Sequence, residues 1–304
     1  MHRPFVQLPF RALPEHPRLP HGWYDLAPRE VVVDSPGLGP VRTSYVEVGE
    51  GPPLVLLHGL MTTGYSFRYV VEPLARRFRV LVPDLPGSGR SATPDAPHTP
   101  EAVADWLVAF LDATGARGGD LVGNSMGGYL ALWAVLRDPE AVGRLLVLHA
   151  PAVPSLRLRA LWAAIRLPGS EAVLGALIRR EPRRWAHRNV HYFDETLKSL
   201  EEAAEYGDVL TTRDGLRGFH RHLRDVMDVR AVARLGRRLR SEGALPCPTT
   251  LVYAKADPMV PPSDGVALAS WLPTAELVWL DRGSHFAHVD AADAFLEVVD
   301  RVLA

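Results

Sequence analysis

The sequence predicts an α/β fold: a mostly parallel sheet of eight strands, covered by helices on both faces and interrupted once by a helical insertion. Three observations predict it. From Leu54 onward, short continuous apolar runs alternate with helical segments, the pattern of strands buried on both faces. That alternation stops over residues 151–245, which hold amphipathic helical patterns and no strand pattern, and then resumes. Within the alternating part, Gly123-Asn124-Ser125-Met126-Gly127 stands between an apolar run and a strong helix former, the context of a sharp strand-to-helix turn with a serine at its apex.

Residues 1–29 are rich in proline and lack periodicity, so they read as an extended arm lying on the body. Glu30–Asp34 and Val41–Val48 flank the turn cluster Ser35-Pro-Gly-Leu-Gly-Pro40 and read as an antiparallel hairpin at the sheet edge. Six further strands are expected at Leu54–Leu57, Val80–Val82, Leu121–Val122, Leu145–Leu148, Thr250–Tyr253 and Leu277–Leu280. The helices between them are expected at Phe67–Arg77, Pro100–Ala113, Met126–Arg137, Ser263–Trp271 and Ala291–Val302. Thr99 before Pro100 is a suitable N-cap, and Asp138-Pro139 ends the helix after the serine. The expected organisation is a core of residues 1–150 and 246–304 with a helical lid over 151–245.

The totals narrow the function. The chain has 304 residues, 47% of them hydrophobic, and a formal charge of −1, so it can bury a large core and shows no charge excess that would suggest a nucleic-acid partner. The lid segment carries 18 Lys+Arg against 12 Asp+Glu, and the arginines of its helices read first as a solvated outer face. Cys247, the single cysteine, cannot form an internal disulfide, and no base stands near it in sequence. The N-terminus lacks a continuous apolar run, so the expectation is a cytoplasmic protein without an integral membrane segment. Metal-ligand spacing and a glycine-rich phosphate loop are both missing, so neither metal nor cofactor is expected.

A serine hydroxyl becomes a useful nucleophile when a base takes its proton, and that base needs an acid to fix its tautomer. On a parallel sheet such groups belong at the carboxyl ends of strands, where loops converge. Three loops qualify: Ser125 follows Leu121–Val122, Asp257 follows Thr250–Tyr253, and His285 follows Leu277–Leu280. Met126, first in the following helix, would direct its amide N–H toward an anion forming at the serine.

Four separated motifs give the chain a family resemblance: His58-Gly59-Leu60, Asp84-Leu-Pro-Gly-Ser-Gly-Arg-Ser91, the serine turn, and Gly283-Ser284-His285. Over roughly residues 30–304 it resembles the α/β-hydrolase superfamily in its lid-bearing serine hydrolase branch. The resemblance implies Ser125 as nucleophile, Asp257 as acid, His285 as base, and the backbone N–H groups of Leu60 and Met126 as the oxyanion hole. Rivals weigh less: His288 lies three residues beyond His285, His58 is expected to brace its loop, and Asp84 to pin its own turn. Some relatives place the acid after the strand that precedes the lid, where this chain has His149-Ala150-Pro151. Relatives that cleave alkyl halides and epoxides carry aspartate at the turn, so Ser125 points instead to acyl transfer to water.

The primary expectation is a carboxylesterase acting on a small to medium apolar ester. Its pocket is expected from Leu158 and Trp162 on the first lid helix, which shows Leu158, Leu161, Trp162 and Ile165 on one face, and from Phe286. The alternative is a carbon-carbon bond hydrolase of vinylogous diketones, which this chain resembles in Gly123-Asn-Ser-Met-Gly-Gly128 and in the arginine-rich lid. It departs from those enzymes at Phe286, where they usually carry tryptophan, and at Leu60-Met-Thr-Thr-Gly64. A protein of the same fold that binds ligand without turnover is a third possibility.

Overall fold

The structure, a computed structural model, describes residues 4–303. Strands β1 (Pro28–Ser35) and β2 (Gly39–Val48) form the antiparallel hairpin, turning through Gly37 and Gly39 at positive φ. Next come β3 (Pro53–Leu57), β4 (Arg79–Pro83), β5 (Asp120–Asn124), β6 (Leu145–Leu148), β7 (Thr249–Ala254) and β8 (Glu276–Leu280), in the sheet order β1-β2-β4-β3-β5-β6-β7-β8. Strands β3 to β8 pair parallel, and β2 joins them antiparallel to β4.

The register fixes where the loops emerge. Leu57 pairs with Gly123, Asn124 with Leu148, Leu148 with Val252, and Ala254 with Leu280, so the carboxyl ends of β3, β5, β6, β7 and β8 lie side by side. Parallel strands must be covered on both faces. On one side α2 (Pro100–Ala113) and α3 (Met126–Arg137) bury Trp106, Phe110, Tyr129 and Leu132. On the other, Phe67, Leu74, Phe295 and Val299 pack beneath α1 (Val71–Ala75) and α12 (Ala292–Val302). The single helix expected over 67–77 is divided: a 3-10 turn at Gly64–Phe67 precedes the short α1. Between β7 and β8 lies α10 (Pro262–Trp271), and α11 (Ala287–Asp290) forms a turn after His285 that the sequence pattern does not signal.

Between β6 and β7 the described elements are all helical: α4 (Leu156–Ile165), α5 (Ser170–Arg180), α6 (Pro182–Asn189), α7 (Leu200–Gly207), α8 (Arg213–Arg221) and α9 (Val229–Glu242), with short 3-10 turns at Glu195–Leu197 and Val209–Thr211 and a π-helical stretch at His222–Val226. A buried ion pair fastens this insertion to the core. Arg68 Nη2 donates to Glu202 Oε2 at 2.7 Å, Tyr192 Oη donates to the same oxygen, and the guanidinium lies 4.4 Å from the centre of the Tyr65 ring. Removing either charge would leave the other buried without a partner, a cost of about 3–5 kcal/mol.

The N-terminal arm lies against the insertion. Gln7 Nε2 donates to His187 O, and the Leu200 and Glu201 N–H groups donate to Pro14 O and Glu15 O. Two 3-10 turns, Phe10–Ala12 and Trp23–Asp25, punctuate the otherwise extended arm. No single described helix is long and apolar enough to cross a bilayer.

Candidate active site

Ser125 sits between β5 and α3 with φ 54° and ψ −118°, a backbone conformation in which non-glycine residues are strained. The surroundings force it. A Cβ on Gly123 would lie 2.6 Å from the Gly127 carbonyl carbon, and one on Gly127 would lie 2.4 Å from Leu57 O. These two glycines are therefore needed for space, because α3 packs directly on β5 and β3, while the serine carries the strained φ. Its N–H donates to Leu148 O at 2.7 Å, which ties the turn to β6.

Asp257 follows β7 and His285 follows β8, and both are buried. His285 Nδ1 lies 2.7 Å from Asp257 Oδ2, while Asp257 Oδ1 accepts from Met259 N at 2.7 Å and Val260 N at 3.0 Å. Burial alone would raise the Asp257 carboxyl; the His285 ring, His149 and these N–H donors outweigh it and hold the group below its ordinary value. With Nδ1–H facing the carboxylate, the free lone pair of a neutral His285 is on Nε2. Asn124 Nδ2 donates to His285 O at 2.9 Å, joining the histidine loop to the end of β5.

Ser125 and His285 line one cavity of about 460 Å³. Gly59, Leu60 and Met61 form one side, and Phe286, Met259 and Val260 another. Leu158, Leu161, Ile165 and Leu174 of α4 and α5 cover it, with Arg157 and Asn189 among the few polar groups. Leu158 and Phe286 thus lie where the sequence reading puts them. Trp162 does not: it is absent from the lining, and its ring lies against the guanidinium groups of Arg166, at 4.8 Å, and Arg230, at 5.3 Å. The cation-π contacts draw this side chain toward α9.

The rival groups have other tasks. His58 Nδ1 donates to Gly59 O and its Nε2 accepts from Leu85 N, and burial pushes its pKa down to about 4, so it braces the loop as a neutral ring. Asp84 accepts from Gly64 N and Arg90 N, linking two loops. His288 is buried against Phe67, ring centres 4.6 Å apart, with neither ring nitrogen bonded among the described residues. Asp264 accepts from Ala152 N and Val153 N, and Cys247 is buried. A second cavity, of about 400 Å³, lies between Trp23, Tyr45 and Glu205 and contains neither Ser125 nor His285.

His149 is a neighbour that the sequence does not reveal as such. It sits at φ 49°, its Nε2 accepts from Ala254 N at 2.9 Å, and its ring centre is 5.6 Å from that of His285. Burial, chiefly, pushes its pKa down to about 3. The only signal was its position after β6, where some relatives carry a carboxylate. His149, Asp257 and His285 each place one donor atom within 4.8 Å of the others, as a metal site would require. Here His149 Nε2 accepts from Ala254 N–H, which leaves the ring proton of the neutral imidazole on Nδ1, and His285 Nδ1 is taken by Asp257, so the set fits a hydrogen-bonded cluster better than a metal cage.

Comparison with known proteins agrees with this architecture. The chain is similar to 2-hydroxymuconate semialdehyde hydrolase of Pseudomonas sp. strain CF600, 29% identical over 268 residues that cover 87% of this chain and 91% of that one. It is 30% identical to 2-hydroxy-6-oxo-2,4-heptadienoate hydrolase of Pseudomonas putida over 275 residues, covering 88% and 94%. The solved meta-cleavage product hydrolase CumD of Pseudomonas fluorescens superposes with a TM-score of 0.67 over 91% of this chain and 97% of that one, at 23% identity, a likeness that shows the fold alone. Residues 52–292 match the family described as alpha/beta hydrolase fold, and a span that runs from β3 through both loops bearing Asp257 and His285 leaves no doubt of membership: the chain belongs to the alpha/beta hydrolase fold family.

Proposed function

We propose that this hydrolase cleaves a carbon-carbon bond in a vinylogous diketone of the 2-hydroxy-6-oxo-dienoate kind, with Ser125, His285 and Asp257 as its triad. The observation that carries the choice is the near full-length likeness, at about 30% identity, to hydrolases named for such substrates. This reading displaces the ester as the primary expectation.

The chemistry follows from the geometry. His285 Nε2 takes the proton of Ser125 Oγ as the oxygen attacks the 6-oxo carbon, and Asp257 stabilises the imidazolium. The N–H groups of Leu60 and Met126 receive the oxyanion, since Gly59 lies against Ser125 and Met126 opens α3. Before this attack the dienol shifts a proton from its 2-hydroxyl to carbon 5, giving the 2-oxo-3-ene tautomer. When the tetrahedral centre at carbon 6 then collapses, the bond between carbons 5 and 6 breaks and its electron pair passes through the carbon 3–4 double bond to the carbonyl oxygen at carbon 2, leaving a dienolate. His285 returns its proton to the leaving fragment. Water, activated by the same histidine, then releases the acid from Ser125.

Helices α4 and α5 serve as the lid, with Leu158, Leu161, Ile165 and Leu174 over the apolar part of the substrate. Arg157 supplies a cation at the cavity rim for the dienoate carboxylate. Hydrolysis in ¹⁸O-labelled water tests the reading: one label should enter the carboxylic acid product and none the 2-hydroxydienoate, whereas unreacted dienoate would contradict it. Ester hydrolysis is the second reading, favoured by Phe286 beside His285 and by the Leu60–Gly64 turn, where the C–C hydrolases differ.

A further inference from the structure

The outward side of the first two insertion helices is apolar. Leu156 is 87% exposed, Leu167 63%, Val173 61% and Leu177 51%, with exposed alanines between them. Soluble proteins leave single apolar side chains in water, but four so exposed on one pair of helices and the turn between them mark an interaction surface. Its charge is equally one-sided. Residues 153–180 contain the arginines 157, 159, 166, 179 and 180 and a single acidic residue, Glu171. Arg166 is paired with Asp228, whereas Arg157, Arg159, Arg179 and Arg180 are exposed beside the apolar side chains.

The shape limits what this surface can meet. Helices α4 and α5 meet at a bend of 105°. Each is only about 15–17 Å long, so neither spans a hydrocarbon layer of about 30 Å, but both can lie in an interface with leucine and valine turned inward. A second copy of the chain docked face to face on the same patch would set these arginines against their own equivalents, which electrostatics opposes.

We propose that the α4–α5 elbow is a docking surface for an anionic lipid interface. The apolar side chains enter the headgroup boundary and Arg159, Arg179 and Arg180 pair with lipid phosphates. The inner sides of the same two helices cover the cavity that holds Ser125, so docking sets the cover of that cavity against the lipid. This holds whichever bond the enzyme cleaves.

Sedimentation of the full chain with vesicles tests it. Vesicles of phosphatidylcholine containing about one-third phosphatidylglycerol should carry the protein down at low salt, pure phosphatidylcholine vesicles should not, and added salt should release it. The pair Arg179→Gln/Arg180→Gln should weaken binding by about fivefold per arginine. The triple variant Leu167→Ser/Val173→Ser/Leu177→Ser should weaken it by at least about tenfold. None of these residues lines the cavity, so both variants should keep the parent's thermal melt and turnover. Equal binding to the two vesicle types, no binding to either, or a parent dimer in light scattering that the triple variant dissociates would each overturn the proposal.

Discussion

Asn124 Nδ2 donates to the carbonyl oxygen of His285 at 2.9 Å, so the residue immediately before the strained serine holds the loop that presents the histidine. The bond joins positions 161 residues apart in the chain and couples the turn that carries Ser125 to the loop that carries His285, the two groups between which the proposed proton transfer runs. In Asn124→Ala, kcat should fall by about 10- to 100-fold with little change in KM, because positioning is lost and the cavity is not. Steady-state kinetics check this, and an unchanged kcat would show that the loop holds itself.

The pocket prediction moves from Trp162 to its neighbours. Leu161→Ala enlarges the cavity above Ser125 and should shift the preferred substrate toward bulkier acyl groups, with a loss of about 1–3 kcal/mol in kcat/KM for the original one. Trp162→Ala should leave that ranking as it was, although it should destabilise the α4–α9 contact. A substrate series measured on both variants decides between them.

The placement of Ser125, Asp257 and His285 together was legible because each stands directly after a short apolar run, and a parallel sheet brings such positions to one edge. Long-range partners were not. His149 meets Ala254 and His285 only through the pairing of β6 with β7 and of β7 with β8, and nothing near residue 149 encodes that register. The helical pattern put Trp162 on the face of Leu158, Leu161 and Ile165, but Arg230, 68 positions away, draws the indole off that face. The arm, read as extended and proline-rich, showed no sign that its backbone would bond to α7.

Buried neutral histidines make the fold sensitive to acid. Burial pushes His58 and His222 down to about 4 and His98 and His149 down to about 3, and it holds His288 well below its ordinary value. Unfolded, each takes a proton near pH 6.5, so between that pH and the folded value the unfolded state binds more protons and stability falls as pH falls. Each such histidine costs about 1.4 kcal/mol of stability per pH unit in that window. Burial also raises Asp84, Glu205, Asp264 and Asp290, the last to about 6, and these act oppositely, but Asp194, Glu195, Glu201, Asp228 and Asp257 are held below their ordinary values and lose stability with falling pH as the histidines do. Thermal melts should therefore fall steeply below pH 6. His288→Phe, a ring of similar size among Phe67, Phe286 and Phe295, should flatten that fall and leave kcat within about twofold of the parent. A tenfold loss of kcat would return His288 to the catalytic machinery.

The central claim is the bond that is broken. Its most direct test is kcat/KM for a 2-hydroxy-6-oxo-2,4-heptadienoate, followed by the loss of its conjugated absorbance, beside kcat/KM for p-nitrophenyl butyrate, in the parent and in Ser125→Ala. The account predicts at least about 100-fold preference for the dienoate, and at least about 10³-fold loss of dienoate turnover in the variant. Faster turnover of the ester by the parent, or dienoate cleavage that survives Ser125→Ala, would contradict it.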